Sequence, residues 1–315
     1  MKNNKELKFH RIQAIDLDTG EIVGNGLKAK NEEVIIDTRK VLTDKQKWFL
    51  NNSNDFKKYV SEQGGFIQML FTQKQKLDLG NCDKATLSRL VYLSTYIDYN
   101  NRQENLLVKR TRYKKLEPMN RKDIQRTLGL GDTAFKGFLK DTKDNGLLFE
   151  AEGKFYISDQ FFTKGKNDIS NSNYNNCYTR LFIKNIRDLY EGCKPREHKV
   201  LSNIFLLLPF IHVNTNIITM DSDSVYDDNV NPMSIVDIGE LLEIEDNKGN
   251  LKKLVHDLEK FRVTIEGNDY KMFAWVRMSD CNYFVINPRV VYRGNDFEQM
   301  CYIADTYFFR DNKKR

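Results

Sequence analysis

Cysteine and histidine are scarce in this chain, and the few present are scattered. The five cysteines are odd in number and include no Cys-x-x-Cys pair, so neither a disulfide framework nor a zinc site is indicated. Reduced thiols in the cytoplasm are therefore expected. The four histidines form no His-x-His or His-Glu-x-x-His arrangement that would hold a catalytic metal. These residues are Cys82, Cys177, Cys193, Cys281 and Cys301, and His10, His198, His212 and His256.

Long hydrophobic runs are also missing. The longest apolar run, residues 204–211, is too short to cross a bilayer and contains Pro209. Residues 1–6 (MKNNKE) have none of the apolar core of a signal peptide. We therefore expect a cytoplasmic protein that does not associate with membranes.

Sequence signals of catalysis are lacking as well. The chain has no Gly-x-x-x-x-Gly-Lys loop to cradle nucleotide phosphates, and no cluster with the spacing of metal ligands. We expect no enzymatic activity, no cofactor and no metal site.

What the chain does contain is enough apolar sequence for ordinary cores and a mild excess of positive charge. Its 315 residues are 40% hydrophobic and 12% aromatic, with a formal net charge of +6 and a pI near 8.8. This length favours about two domains. The basic bias is weaker than in a strongly basic nucleic-acid-binding domain, so the distribution of charge matters more than its total.

A pattern occurs twice along the chain. Residues 118–128 (PMNRKDIQRTL) and residues 232–242 (PMSIVDIGELL) share Pro-Met, Asp-Ile and a final Leu at the same spacing. The segments that follow also end alike, at residues 157–165 (ISDQFFTKG) and 286–294 (INPRVVYRG). Such self-similarity predicts one module of roughly a hundred residues that has been duplicated.

The predicted order of elements in each copy is helix, strand, helix, turn, helix and hairpin. We therefore predict an α+β fold of two tandem winged helix-turn-helix domains from an internal duplication. A small leader would precede them, with a β-hairpin around Asp18-Thr19-Gly20 and a helix capped by Thr43. The predicted boundaries are the leader at 1–65, the first module at 66–165, a polar linker at 166–177, the second module at 178–294, and a C-terminal helix and basic tail at 295–315.

The helix predicted after Asp132 has the layout of a DNA recognition helix. Phe135, Phe138, Leu139 and Thr142 share one face at helical spacing. Such a helix docks on its apolar back and presents a polar front to the major groove, where Lys and Thr contact phosphates or base edges. The predicted front face comprises Thr133, Lys136, Gly137, Lys140 and Lys143.

A run of basic residues lies just before this helix. From residue 102 to residue 126, nine basic residues face three acidic ones, a local balance of +6. Such a run favours phosphate contacts, and Tyr113 within it is placed to stack on a base or pack on sugar. A solvated charged face is the alternative. The predicted DNA-contacting members are Lys109, Arg110, Arg112, Lys114, Lys115, Arg121, Lys122 and Arg126, with Arg102 in the same run.

The second module carries a different charge. The segment from residue 221 to residue 246 is strongly acidic, and such a surface repels phosphate. We expect mainly a protein–protein or dimerisation module, or else a secondary DNA contact; simple drift in surface charge after duplication stays open. The candidates for that secondary contact are Lys252, Lys253, His256, Arg277, Arg289 and Arg293.

The two PM-x-x-x-DI-x-x-x-L helices and the two module endings, above all residues 286–294, resemble the replication initiators of Gram-positive plasmids and phages. The resemblance covers residues 66–294. It implies binding to repeated or inverted origin DNA without enzymatic activity, followed by recruitment of host replication proteins.

Three functions remain open from the sequence. The first is a replication initiator, the second a transcriptional regulator of a phage or mobile element, and the third an interaction protein whose winged helices bind a host protein. A homodimer on double-stranded DNA is expected for the first two, because helix-turn-helix dimers commonly bind half-sites one helical turn apart.

Overall fold

The structure is a computed structural model that describes residues 9–15, 22–29, 34–37, 43–71, 82–98, 105–164, 177–222, 224, 230–277 and 282–308. Across these residues the fold is mixed α+β, with nine α-helices and several small antiparallel sheets. The chain divides into two compact units, Met1–Phe56 and Lys57–Arg315.

The first unit contains an antiparallel sheet in the order β1-β2-β3. Its strands are β1 (Phe9–Ile15), β2 (Ile22–Ala29) and β3 (Val34–Asp37). The hairpin predicted in the leader is β1–β2, although its turn residues lie outside the described part. Helix α1 (Asp44–Glu62) begins with a capping box, in which Gln46 N donates to Thr43 Oγ1 (3.2 Å) and Thr43 N donates to Gln46 Oε1 (3.0 Å). The predicted cap at Thr43 is confirmed.

Helix α1 runs across the boundary between the units, and the elements after it belong to the second unit. Its helices after α1 are α2 (Lys84–Ser94), α3 (Arg121–Leu128), α4 (Asp132–Asp144), α5 (Ile183–Glu191), α6 (His198–Leu206), α7 (Ile235–Leu241), α8 (Lys248–Glu259) and α9 (Phe297–Tyr307). Its strands are β4 (Phe66–Phe71), β5 (Val108–Arg110), β6 (Leu116–Pro118), β7 (Leu148–Ala151), β8 (Lys154–Ile157), β9 (Phe162–Thr163), β10 (Cys177–Phe182), β11 (Arg262–Ile265), β12 (Asn268–Lys271), β13 (Phe273–Arg277), β14 (Asn282–Ile286) and β15 (Val291–Tyr292).

A four-stranded sheet joins the first module (residues 66–165) to the second module (residues 178–294). Its order is β15-β10-β4-β9, so the strands that open the modules pair with each other in the centre. Gln68 lies opposite Arg180, and each is the third residue of its module. The outer strands pair at these same residues, Gln68 with Thr163 and Arg180 with Tyr292. The sheet therefore has an approximate two-fold axis between Gln68 and Arg180.

Helices α2 and α6 pack against each other as a second link between the modules. Ser88 and Ser202, each the fifth residue of its helix, are both fully buried. Ser88 N donates to Ser202 Oγ (3.0 Å), and Ser88 Oγ donates to the carbonyl of His198 (2.9 Å). Small side chains at this crossing allow the two helices to approach closely.

The same capping box starts the matching helices α3 and α7. Asp123 N donates to Asn120 Oδ1 (3.0 Å) and Asn120 N donates to Asp123 Oδ2 (3.1 Å). In the second module Asp237 N donates to Ser234 Oγ (3.2 Å) and Ser234 N donates to Asp237 Oδ2 (2.7 Å). The Asp of the repeated Asp-Ile pair thus satisfies the helix N-terminus in both modules.

An asparagine side chain ties the end of each module to its middle. Asn105 Nδ2 donates to the carbonyl of Phe162 (2.6 Å), and Asn216 Nδ2 donates to the carbonyl of Val291 (2.8 Å). Backbone bonds recur in the same way. Leu107 N to Phe155 O (2.8 Å) in the first module matches Ile218 N to Phe284 O (2.9 Å) in the second. Met119 N to Leu107 O (2.8 Å) matches Met233 N to Ile218 O (2.9 Å). Leu70 N to Phe161 O (2.8 Å) matches Phe182 N to Val290 O (3.0 Å).

The modules differ after their third helix. The first has one hairpin, β7–β8, which turns at Glu152 and Gly153, both with positive φ. The second has two hairpins, β11–β12 and β13–β14, the first of which turns at Glu266 and Gly267. The predicted linker, up to residue 176, lies outside the described residues.

One predicted helix start needs correction. The sequence favoured Asp132 as the N-cap of α4, but the N-cap is Gly131, and Asp132 is the first helical residue. Its carboxylate instead accepts a hydrogen bond from Gln125 Nε2 (2.7 Å). The acidic side chain still lies at the helix N-terminus, where the helix dipole favours it.

Candidate nucleic-acid interface

Helix α4 has the two faces that its sequence predicts. Its back face is buried, and Thr142 on that face donates its Oγ1 hydrogen to the carbonyl of Phe138 (2.8 Å). On the opposite side Thr133, Lys136, Gly137 and Lys140 are exposed. Beyond this front face, Asp144 is exposed in the last turn. The first ten residues of the helix therefore offer the side chains suited to phosphate and base edges.

Helix α3 fixes the direction in which α4 points. It ends at Gly129, whose φ of 64° glycine adopts without steric cost. Gln125 Nε2 then bridges to the carbonyl of Leu130 (3.2 Å) as well as to Asp132. The three-residue turn between the helices is therefore held by a side chain, as a helix-turn-helix pair requires.

Two of the predicted contact residues form ion pairs within the module. Lys143 Nζ is hydrogen bonded to Glu150 on β7. Lys109 Nζ lies 2.7 Å from Asp123 Oδ1. Burial alone would raise the pKa of Asp123, but hydrogen bonds from Lys109 and from Asn120 N, with nearby positive charge, lower it below its usual value. These two lysines brace the hairpins on either side of α3 and α4.

The other predicted cations of the first module are exposed. No acidic side chain within the described part of the chain forms an ion pair with any of them, so their charge is available to a partner. They are Arg110, Arg112, Lys114, Lys115, Arg121, Lys122, Arg126, Lys136 and Lys140. Arg102 lies outside the described residues.

In the second module, the helix that matches α4 is α8, and exposed acidic side chains lie near it. Lys252, Lys253 and His256 are exposed on α8 as predicted. Nearby, Glu240, Glu243, Glu245 and Asp246 are exposed at and after the end of α7. This charge weakens attraction to phosphate around α8.

Arg289 and Arg293, both predicted as secondary DNA contacts, lie mainly inside the fold. Arg289 Nη2 lies 2.6 Å from Asp305 Oδ1. Arg293 is only 9% exposed, and its Nη1 donates to the carbonyls of Ile211 (2.9 Å) and Ser222 (3.2 Å). Arg293 is therefore corrected to a structural cation, because a guanidinium that satisfies buried carbonyls does not reach a DNA surface.

The repeat itself contained the signal for this structural role. Lys164 occupies the position of Arg293 in the first module, and its Nζ donates to the carbonyl of Ile97 (2.8 Å). That carbonyl corresponds to the carbonyl of Ile211. Burial lowers the pKa of Lys164. A cation before glycine at the end of both modules thus closes each module on its own backbone.

Other kinds of site find no support in the described residues. Within that part of the chain no three His, Cys, Asp or Glu side chains are grouped to hold a metal ion. Burial raises the pKa of Cys193 to about 12, so this thiol is not an activated nucleophile. No helix in the described ranges is long and apolar enough to cross a bilayer.

Comparisons of the chain with protein-family models, with curated proteins and with solved structures find no match.

Proposed function

We propose that this chain binds double-stranded DNA in a sequence-specific manner through the first of two winged-helix modules that arose by internal duplication. The single observation that carries the proposal is helix α4. Its apolar back is buried, its front presents Thr133, Lys136 and Lys140, and exposed cations without an ion pair lie on the elements before it. A recognition helix requires this combination.

The duplication is supported by the recurring contacts. The capping boxes at Asp123 and Asp237 and the bonds of Asn105 and Asn216 occur at matching positions within each module, and the pairing of Gln68 with Arg180 joins matching positions of the two. One hairpin after α4 and two after α8 supply the wings of the proposed winged helices.

The biological role that we propose is replication initiation on a plasmid or phage, by binding to repeated origin sites as a homodimer that recruits host replication proteins. The basic first module would bind DNA, and the acidic surface of the second module would face a protein. Regulation of transcription at an operator would use the same helix, so the genomic position of the bound site distinguishes these two roles.

The proposal is tested by selecting DNA from a random library with the purified full chain at two salt concentrations. The wild type should enrich a repeated or palindromic site, and Lys136→Ala/Lys140→Ala should weaken binding at least about tenfold and reduce the salt slope by about two. Lys57→Ala/Lys58→Ala, two exposed lysines of α1, is the control with the same loss of charge. Equal loss in both variants, or no enrichment at all, would refute the assignment of α4.

A further inference from the structure

The β5–β6 hairpin forms a short basic arm with an aromatic apex. Thr111 N donates to the carbonyl of Lys115 (2.8 Å), and Lys114 N donates to the carbonyl of Thr111 (2.9 Å). The turn therefore consists of Arg112, Tyr113 and Lys114. Tyr113 is 87% exposed, the largest value among the exposed hydrophobic side chains of the described residues. The hairpin thus holds an aromatic ring out in solvent.

Lys114, in this turn, has an unfavourable backbone conformation. Lys114 has a φ of 60°, in the left-handed region that glycine adopts freely and side chains rarely adopt. The lysine at this position places a positive charge beside the aromatic apex, although its backbone conformation is unfavourable for a residue with a side chain.

Charge on the arm is almost all of one sign. Arg110, Arg112, Lys114 and Lys115 are exposed, and within the described residues no carboxylate pairs with them. The one acidic residue on the hairpin is Glu117, on the strand that leads back to α3. The partner that this surface fits is therefore a polyanion.

The base of the arm is fixed to the proposed DNA-binding helices. Lys109 on β5 pairs with Asp123 on α3, and Met119 N donates to the carbonyl of Leu107 (2.8 Å). Since α3 also positions α4, the arm and α4 are held in one rigid arrangement. On a duplex, the groove that adjoins the major-groove site of a recognition helix is the minor groove.

The described residues of the corresponding segment in the second module are arranged differently. Ser222 there is fully buried, and its carbonyl accepts hydrogen bonds from Arg293 Nη1 and from Val213 N (3.2 Å). This part of the segment folds back onto its own module. Among the described residues, a basic arm of this kind therefore occurs in the first module.

We propose that the β5–β6 hairpin is a minor-groove arm. Tyr113 enters the minor groove next to the major-groove site of α4, and Arg112 and Lys114 contact the phosphates on its two edges. The proposal rests on the proposed function, because α4 positions the duplex. The guanine amino group of a G·C pair protrudes into the minor groove and would obstruct the ring, so the arm adds a preference for A·T pairs beside the site of α4.

The test uses the full chain and the DNA site that it selects, with base pairs exchanged in the flank. An I·C pair presents the same minor groove as A·T, whereas G·C adds the guanine amino group. Exchange of flanking A·T for G·C should weaken wild-type binding at least about fivefold, and exchange for I·C should leave binding unchanged. Tyr113→Ala should abolish this preference and shorten the hydroxyl-radical footprint on that side. Tyr302→Ala, an exposed tyrosine of α9, is the matched control and should behave as the wild type.

The outcomes separate the arm from the proposed function. If Tyr113→Ala keeps the full footprint and the A·T preference while Lys136→Ala/Lys140→Ala loses binding, the arm is refuted and the function stands. If I·C weakens binding as much as G·C, the flank is recognised from the major groove and the arm is again refuted. If Tyr113→Ala weakens binding only to sites whose flanks are unpaired, the ring stacks on single-stranded bases instead, and the minor-groove arm is refuted. If the wild type selects no DNA, both proposals fail.

Discussion

At the scale of single residues, the cations of this chain fall into two groups that look alike in the sequence. Lys136 and Lys140 are exposed and without ion pairs among the described residues, whereas Lys164 and Arg293 are turned inward onto backbone carbonyls. The first group provides charge for a partner and the second closes the modules. Substitutions in the first group should therefore weaken binding to the partner and leave stability unchanged. Substitutions in the second group should lower stability.

Arg293→Ala should lower stability without acting on DNA directly. Truncation leaves the buried carbonyls of Ile211 and Ser222 without this donor, so we expect a loss of about 2–4 kcal/mol in the free energy of unfolding. Urea denaturation followed by tryptophan fluorescence measures this loss, with Lys136→Ala as the surface control. Unchanged stability together with lost DNA binding would return Arg293 to the interface.

The buried His198 should make the fold sensitive to acid. Its ring stacks on Tyr190 with centroids 4.3 Å apart, and burial, with the positive charge of Arg89, lowers its pKa from 6.5 to about 4. As the pH falls through this interval, the unfolded chain binds the proton before the folded chain does, so stability falls.

Between pH 7 and pH 4.5 we expect His198 to account for a loss of about 1–3 kcal/mol in unfolding free energy. The measurement is urea denaturation across this range for the wild type and for His198→Gln. The variant should show a flatter pH dependence. Two parallel curves would mean that this imidazole titrates alike in the folded and unfolded states.

At the scale of elements, the two capping boxes offer a matched pair of tests. Asn120→Ala and Ser234→Ala each remove a side-chain acceptor from a helix N-terminus, and each should cost about 1 kcal/mol of stability. Only Asn120→Ala should weaken DNA binding, because α3 and not α7 positions the exposed front of α4. Thermal denaturation and DNA titration of both variants check this, and equal effects on affinity would contradict the unequal roles of the modules.

Local elements were largely predictable from the sequence, whereas contacts between elements were not. Thr43, Gly129 and the buried face of α4 carry short-range signals of capping, chain reversal and helical period, and the structure agrees with them. The ion pair of Lys143 with Glu150 depends on how the β7–β8 hairpin folds back, which no local pattern encodes. The sequence therefore assigned Lys143, Lys109 and Arg293 to the contact surface without showing that each has a partner within the fold.

At the scale of the molecule, the second compact unit is held together by contacts between the modules. The pairing of β4 with β10 and the packing of α2 on α6 bury polar groups at the contact, where Ser88 donates from its N to Ser202 Oγ and from its Oγ to the carbonyl of His198. This arrangement was not predictable, because the sequence suggested two domains joined by a linker. Neither strand nor helix periodicity specifies which strand will be the partner.

The modules should consequently unfold together. Ser202→Leu inserts bulk at a fully buried helix crossing and should lower stability by about 1–3 kcal/mol. Hydrogen exchange should show β7–β8 in the first module and β13–β14 in the second losing protection to the same extent. Loss of protection confined to the second module would show that the two fold independently.

The approximate two-fold axis between Gln68 and Arg180 also bears on how such a chain evolves. Folding depends on the inward contacts that recur in both modules, whereas the exposed front faces of α4 and α8 contribute little to stability. Descendants of this chain with a new DNA target should therefore differ first at positions 133, 136, 137 and 140. They should keep Asn105, Asn216, Asp123 and Asp237, so that recognition is inherited separately from the scaffold that displays it.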